Sequence, residues 1–289
     1  MQRTMSAFVD RLEAACAAAR SLLCVGLDVD PARMAVPDVF QFNQAVVNAT
    51  ADLVCAYKPN LAFYEALGLP GLEALARTVE HIRHAAPHAI IIGDGKRGDI
   101  GPSAEAYAKA MFQVWGFDAA TVNAWGGQDT VAPFLADASR GVFIWCRGSN
   151  PGSADLQDLA LAAPGDGPPQ AGPSVPMYRH LAQAAQGWDR HGNLGLVVGA
   201  TAPHQLAEVR RLCPRMPLLI PGVGAQGGEL EEAVRLGTDA RGRRGIINAS
   251  RSVIYASRGN DFPQAARREA SRLRDAMTAV LEAQGKAWP

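Results

Sequence analysis

The feature that most constrains this chain's fold is a rhythm. Eight short apolar runs, at 22–28, 53–58, 89–94, 119–123, 142–146, 194–199, 218–221 and 245–248, alternate with longer segments. Most of these runs are apolar on successive residues. That suits parallel strands buried on both faces, not the polar–apolar alternation of a half-exposed sheet. Helical periodicity stands out between them, for example at 72–85, 103–115, 203–212 and 228–236. The pattern predicts an α/β fold, a single (β/α)8 TIM barrel with an N-terminal helix. An open doubly wound sheet is the alternative, but eight evenly spaced units favour closure. No linker interrupts the series, so residues 1–289 are expected to form one barrel domain.

One stretch breaks the rhythm. PGDGPPQAGPSVP, at 164–176, holds eight Gly or Pro in thirteen residues and excludes a helix or an inner strand. It follows the fifth predicted strand, and loops after barrel strands lie on the catalytic face. Residues 150–176 are therefore expected to form a long active-site loop.

Composition narrows the functions. The formal net charge is zero, whereas nucleic-acid and membrane-surface binding want a basic excess. No apolar run reaches the ~20 residues of a membrane span. The first 23 residues carry Asp10 and Glu13 among their apolar positions and read as an amphipathic helix, not a signal peptide. Cys16, Cys24, Cys55, Cys146 and Cys213 are scattered without ligand spacing, as expected of reduced thiols in a cytoplasmic protein. Only four of the 28 basic residues are lysines: Lys58, Lys96, Lys109 and Lys286. Codon bias accounts for the scarcity. Yet Lys58 and Lys96 stand at strand ends, and a lysine, unlike an arginine, can be tuned to give up a proton.

Strand ends form the mouth of a barrel, and polar residues collect there: Asp28, Lys58, Asp94, Lys96 and Asn123. The segment GDGKRGDI at 93–100 brackets Lys96 with Asp94 and Asp99. Strand alternation is expected to put Asp94 and Lys96 on one side, with Lys58 about 5 Å away on the neighbouring strand. Asp99 follows where the chain turns. A rim salt-bridge network is the structural alternative. Buried ion pairs are weak stability devices, so four such charges together point to function.

PGVGAQGG (221–228) and NASRS (248–252) follow the seventh and eighth strands, where barrels hold phosphate on backbone N–H groups and helix N-termini. Gln226 and Arg251 are the side chains expected to grip it, the arginine through a bidentate fork. Gly222, Gly224 and Gly227 also satisfy GxGxxG. The motif lies on the seventh unit and lacks the acidic partner a dinucleotide needs. His81, His84 and His88 lie on the helix after the second strand, far from the mouth, and are expected to be solvated rather than metal-binding. No metal cluster is predicted. The basic stretch DARGRRG (239–245) is read as a solvated turn.

DGKRGDI (94–100) resembles the D-x-K-x-x-D motif of the orotidine 5′-phosphate decarboxylase family. GLD (26–28), YKPN (57–60), GSNPG (148–152), PGVGAQGG and NASRS follow in the order of that family, over about Leu22 to Ser257. The long loop and the KPN and NASR variants are similar to its longer, bacterial-type branch (type 2). The resemblance implies decarboxylation of orotidine 5′-phosphate to UMP, the last step of UMP synthesis, with no cofactor and no metal. It implies that Lys58, Asp94, Lys96 and Asp99 form a charged tetrad and that Lys96 protonates C6. It also implies a homodimer, because the last aspartate of the motif enters the partner subunit's site. Asp28 matches a ribose contact and Ser149 the pyrimidine contact. Gln226, Ser250 and Arg251 match the phosphate grip, with Ser250 contacting through its backbone. Ser103 stands where the family has a threonine from the partner's loop. The competing functions are a metal-dependent sugar-phosphate decarboxylase or synthase of the same superfamily, a non-catalytic nucleotide binder and a Schiff-base aldolase. The metal-dependent relatives carry a carboxylate where this chain has Lys58.

Overall fold

The computed structural model describes residues 7–162, 174–224 and 228–288. Eight parallel strands close into a barrel: β1 (Leu23–Leu27), β2 (Ala56–Pro59), β3 (Ile90–Arg97), β4 (Ala119–Val122), β5 (Gly141–Arg147), β6 (Leu194–Val198), β7 (Leu218–Pro221) and β8 (Gly245–Ala249). β1 closes the ring against β8, with Cys24 opposite Asn248. The predicted eight-stranded barrel is therefore the observed one, and the open sheet is excluded. Five strands bury every residue, as apolar runs without alternation require.

Helices wrap the barrel where the sequence punctuates them. Asp38 starts the helix Val39–Thr50 by accepting the N–H of Gln41 at 2.7 Å, and Asn60 starts Leu61–Glu65 by accepting the N–H of Ala62. The last helix, Phe262–Ala283, buries Phe262, Ala266, Ala270, Leu273, Met277 and Leu281, one side of a helix at spacings of three and four. The helix predicted over 103–115 is shorter and earlier. It runs Gly101–Lys109 and loosens into a π-helical turn at Ala110–Val114. No helix among the described residues is long and apolar enough to cross a membrane.

The N-terminal helix, Phe8–Ala19, plugs the bottom of the barrel. The Phe8 ring meets Phe143 edge to face at 6.0 Å and lies where a side chain at Gly141 would project. Beside it, Asp118 is buried at the entrance of β4 and ion-paired to Arg11, Arg83 and Arg140. DARGRRG is a tie rather than a solvated turn. Asp239 accepts the N–H groups of Arg241 and Arg243, and Arg241 and Arg244 both reach Glu13 on the N-terminal helix at 2.7 Å. Arg243 lies 3.9 Å over the ring of Trp288. The stretch ties the N-terminal helix, through Glu13, and Trp288 to the start of β8.

Beyond β5, the described part of the 150–176 stretch holds short helical turns at Pro151–Ser153 and Ala154–Gln157. A two-stranded ribbon then pairs Ala160–Leu161 with Val175–Pro176. Residues 163–173, most of the Gly/Pro-rich segment, lie outside the described residues.

Candidate active site

The strands' C-terminal ends surround a cavity of about 210 Å³. Asp94 lies at its centre, 7 % exposed. Its Oδ2 accepts a hydrogen bond from Lys58 Nζ at 2.6 Å, and its Oδ1 accepts from Lys96 Nζ at 2.8 Å. Thr121 Oγ1, on β4, donates to the same Oδ1 at 2.8 Å. The two ammonium groups differ in exposure. The Lys58 side chain is 5 % exposed, that of Lys96 36 %. Lys96 is therefore the cation that faces the open space.

Strand alternation does not by itself bring these groups together. The β3–β4 register shifts between Gly93 and Arg97, and Lys96 adopts a left-handed backbone with φ of 44°. Such a bulge re-aims side chains. It is the bulge that returns the Lys96 ammonium to Asp94.

Electrostatics hold the buried Asp94–Lys58 pair ionised. Burial alone would raise the Asp94 carboxyl, but Lys58 and Lys96 together outweigh it and keep the group far below the usual carboxylate range. Burial alone would lower the Lys58 ammonium, but Asp94 and Asp28 together hold it above its ordinary value. Cys24, close by, is pushed up to about 12 by burial, so it stays a neutral thiol.

Around this core the cavity offers unsatisfied polar groups. Asp28 Oδ1 and Asn248 Oδ1 are both buried without a hydrogen-bond partner among the described residues. Buried acceptors of that kind await a donor. Ser149 and Asn150 line the β5 side, below a loop anchored by Arg147. That guanidinium forms a fork to Asp158 at 2.9 Å on both arms and also bonds Ser153. On the opposite side are Gly222, Ser250, Arg251 and Ser252. Gly26 is required there, since a Cβ at that position would lie 1.9 Å from Ser250 Oγ. Arg251 is exposed and has no ion pair among the described residues, so its fork is available.

The structure thus brings together Asp28, Lys58, Asp94, Lys96, Ser149, Ser250 and Arg251. Three expected residues are elsewhere, and a fourth is outside the described residues. Asp99 is exposed, with Oδ1 accepting the N–H of Ile100, so the cluster within one subunit has three charges at its centre and not four. The chain turns outward after the bulge and carries Asp99 away. Ser103 is exposed on the helix Gly101–Lys109. The oxygen of Asn123 accepts the N–H of Trp125, which turns the side chain into a neighbouring apolar cavity. Gln226 lies outside the described residues. Sequence reasoning passed over Thr121, Asn60, Trp145 and Asn248, all of which line the cavity. Asn60 and Asn248 stand inside the YKPN and NASRS motifs. Nothing local marked Thr121 or Trp145.

The histidines make no joint site. His81 bonds Asn48, His84 the carbonyl of Glu80, and His88 the carbonyl of Val54.

A family model described as orotidine 5′-phosphate decarboxylase / HUMPS matches residues 21–268. This chain belongs to that family. Curated relatives named orotidine 5′-phosphate decarboxylase agree over nearly the whole length. The one from Roseiflexus sp. (strain RS-1) is 50 % identical over 281 residues, covering 94 % of this chain and 98 % of that one. The one from Roseiflexus castenholzii is 49 % identical over 285 residues, covering 96 % and 99 %. Among solved structures, the OMP decarboxylase of Leishmania donovani superposes with a TM-score of 0.79 at 34 % identity, covering 95 % of this chain and 98 % of that one. The UMP synthase of the same organism gives 0.82 at 36 % identity, covering 95 % of this chain and 56 % of that longer one. As a member of the orotidine 5′-phosphate decarboxylase / HUMPS family, this chain keeps DGKRGDI at and just beyond the bulged end of β3, with Asp94 and Lys96 lining the cavity just described.

Proposed function

We propose that this chain is a carboxy-lyase that converts orotidine 5′-phosphate to UMP, the last step of pyrimidine nucleotide synthesis. The observation that carries the proposal is Asp94 held ionised between two ammonium groups, with the more exposed of them, Lys96, facing the cavity.

The chemistry follows from that array. Loss of CO2 breaks the C6–carboxylate bond and leaves the electron pair on C6, where no conjugated sink accepts it. The Lys96 ammonium stabilises that charge as it develops and transfers a proton to C6; water then reprotonates the amine. Asp94 repels the substrate carboxylate while it is charged, and the repulsion ends as neutral CO2 departs. Lys58 fixes Asp94 from the buried side, so little reorganises during the step.

The remaining groups are assigned to binding. Asp28 accepts a ribose hydroxyl on its unpaired Oδ1. Ser149 meets the pyrimidine edge. Ser250, through its backbone, and Arg251 hold the phosphate, with Gln226. Residues 150–176 form the active-site loop of a single barrel domain. The exposed Asp99, beside the exposed apolar Ile100, supports a homodimer in which Asp99 and Ser103 enter the partner's site. Five buried thiols fit a reducing compartment, and the cytoplasm is proposed.

Lys58 argues against a metal-dependent sugar-phosphate reaction in this site. Both Asp94 oxygens are already engaged by ammonium groups, which repel a further cation. The test is the absorbance change on adding protein to orotidine 5′-phosphate, with and without EDTA. Fast conversion indifferent to the chelator is expected. Chelator-sensitive activity, or UMP binding without turnover, overturns the proposal. The dimer has its own test. Mixed Lys96→Ala and Asp99→Ala homodimers should regain activity after subunit exchange, and no recovery would remove the shared site.

A further inference from the structure

Thr121 is a polar residue in the interior of the barrel, 1 % exposed, on a strand whose other members are Ala119, Ala120 and Val122. An unpaired hydroxyl there costs stability, so its bonds deserve an account. Both are made to the β3 bulge. Thr121 Oγ1 accepts the backbone N–H of Lys96 at 2.9 Å and donates its own proton to Asp94 Oδ1 at 2.8 Å.

The arrangement has three consequences. First, the direction of the hydroxyl proton is settled. Lys96 N–H occupies a lone pair, so the O–H is left to point at the carboxylate. Second, the bulge removes Lys96 from the strand ladder, and the threonine replaces the lost acceptor. Third, a non-glycine residue at φ of 44° holds a sparsely populated backbone conformation, which persists only where its surroundings impose it. The bond to Thr121 is one such restraint, made directly at the strained residue. Asp94 Oδ1 is thereby shared between Lys96 Nζ and Thr121 Oγ1, while Oδ2 belongs to Lys58.

We infer that Thr121 is a positioning residue for the decarboxylation. It fixes the Asp94 carboxylate and the backbone of Lys96 relative to each other, so that the ammonium is aimed before substrate arrives. Thr121 transfers no proton in this role. Its contribution falls on the chemical step, because the Asp94–Lys96 geometry matters where charge develops on C6. The phosphate and ribose contacts lie on other strands and do not pass through β4. The inference rests on the proposed function.

The test compares wild type, Thr121→Val and Thr121→Ser by kcat, KM for orotidine 5′-phosphate, UMP affinity and Tm. Valine keeps the shape and deletes both hydrogen bonds; serine keeps the hydroxyl. The valine variant should lose about 10- to 100-fold in kcat, the scale of one hydrogen bond to a charged group, with KM and UMP affinity nearly unchanged. The serine variant should recover most of that loss. Thr121→Ala, which cannot overfill the site, carries the same expectation if the valine variant does not fold. A hydroxyl-free variant with wild-type kcat overturns the inference, as does a serine variant as impaired as valine, or a loss confined to KM. An active wild type matched by the valine variant removes only the role of Thr121. A wild type with no turnover, in folded protein that binds UMP, removes the proposed function and this inference with it.

Discussion

Asp118 and Asp94 sit at opposite ends of the barrel, the first before β4 and the second at the exit of β3. Each is buried and each touches more than one cation. Around Asp118 the cations are Arg11, Arg83 and Arg140, and the second oxygen also accepts the backbone N–H of Ile91 at 2.9 Å. The guanidinium groups spend their other donors on carbonyls of Ser139, Gly116 and Phe117. This network ties the N-terminal helix to the barrel floor. Around Asp94 the cations are lysines, point charges on flexible stems, and one of them faces open space. The same ionic ingredients make a clamp when the cations also bond backbone carbonyls and a reactive array when one cation is left toward a cavity.

The strongest way to break that contrast is at the top. Lys96→Ala should reduce turnover by about 10³-fold or more, since it removes both charge stabilisation and the proton donor, while Tm and UMP affinity change little. A collapse of Tm would mean that the top is a clamp as well. Asp118→Asn tests the bottom. Leaving three arginines without their carboxylate should destabilise the protein by about 3–5 kcal/mol in denaturant titration. The kcat of the folded fraction should be unchanged; a specific kcat defect would show that the two ends are coupled.

Acid sharpens the same comparison. Burial alone would raise the Asp118 carboxyl, but its arginines, Arg83 foremost, hold it below the usual carboxylate range. A depressed folded-state pKa contributes stability that is present above the unfolded value of about 3.9 and is lost as pH falls through the folded value. Asp118→Asn should therefore flatten the loss of stability below about pH 4 relative to wild type, measured by urea midpoints along a pH series. A parallel shift of the whole curve would contradict the linkage.

Smaller effects follow at the edges of each end. Arg251→Met should raise KM about 10- to 100-fold and leave kcat nearly intact, as loss of a charge-assisted phosphate contact requires. A pure kcat defect would contradict the binding role. Glu13→Gln at the bottom should cost ~1 kcal/mol or less, because its partner Arg241 is 60 % exposed and solvent screens the pair. A loss as large as that of Asp118→Asn would make Glu13 part of the core clamp.

Much of the barrel was legible because its signal is local. Apolar runs of strand length, separated by helical periods, survive any rearrangement of their neighbours. The motifs at the ends of β2, β3 and β8 were legible for the same reason, since each lies within a few consecutive residues. DARGRRG was misjudged because its partners, Glu13 and Trp288, are more than 200 and more than 40 residues away in the chain. Asn123 was misplaced because one turn, bonded to the N–H of Trp125, swings its side chain out of the cavity.

The sequence by itself determined the number of barrel strands, their parallel burial and the residue types at the barrel mouth, because burial periodicity and motif spacing are written along the chain. Only the tertiary structure decided how those residues meet. The bulge that re-aims Lys96 and the threonine of β4 that holds it both depend on contacts between strands. Such contacts join residues 25 to 27 positions apart, as Thr121 does with Lys96 and Asp94, and no local pattern encodes that distance.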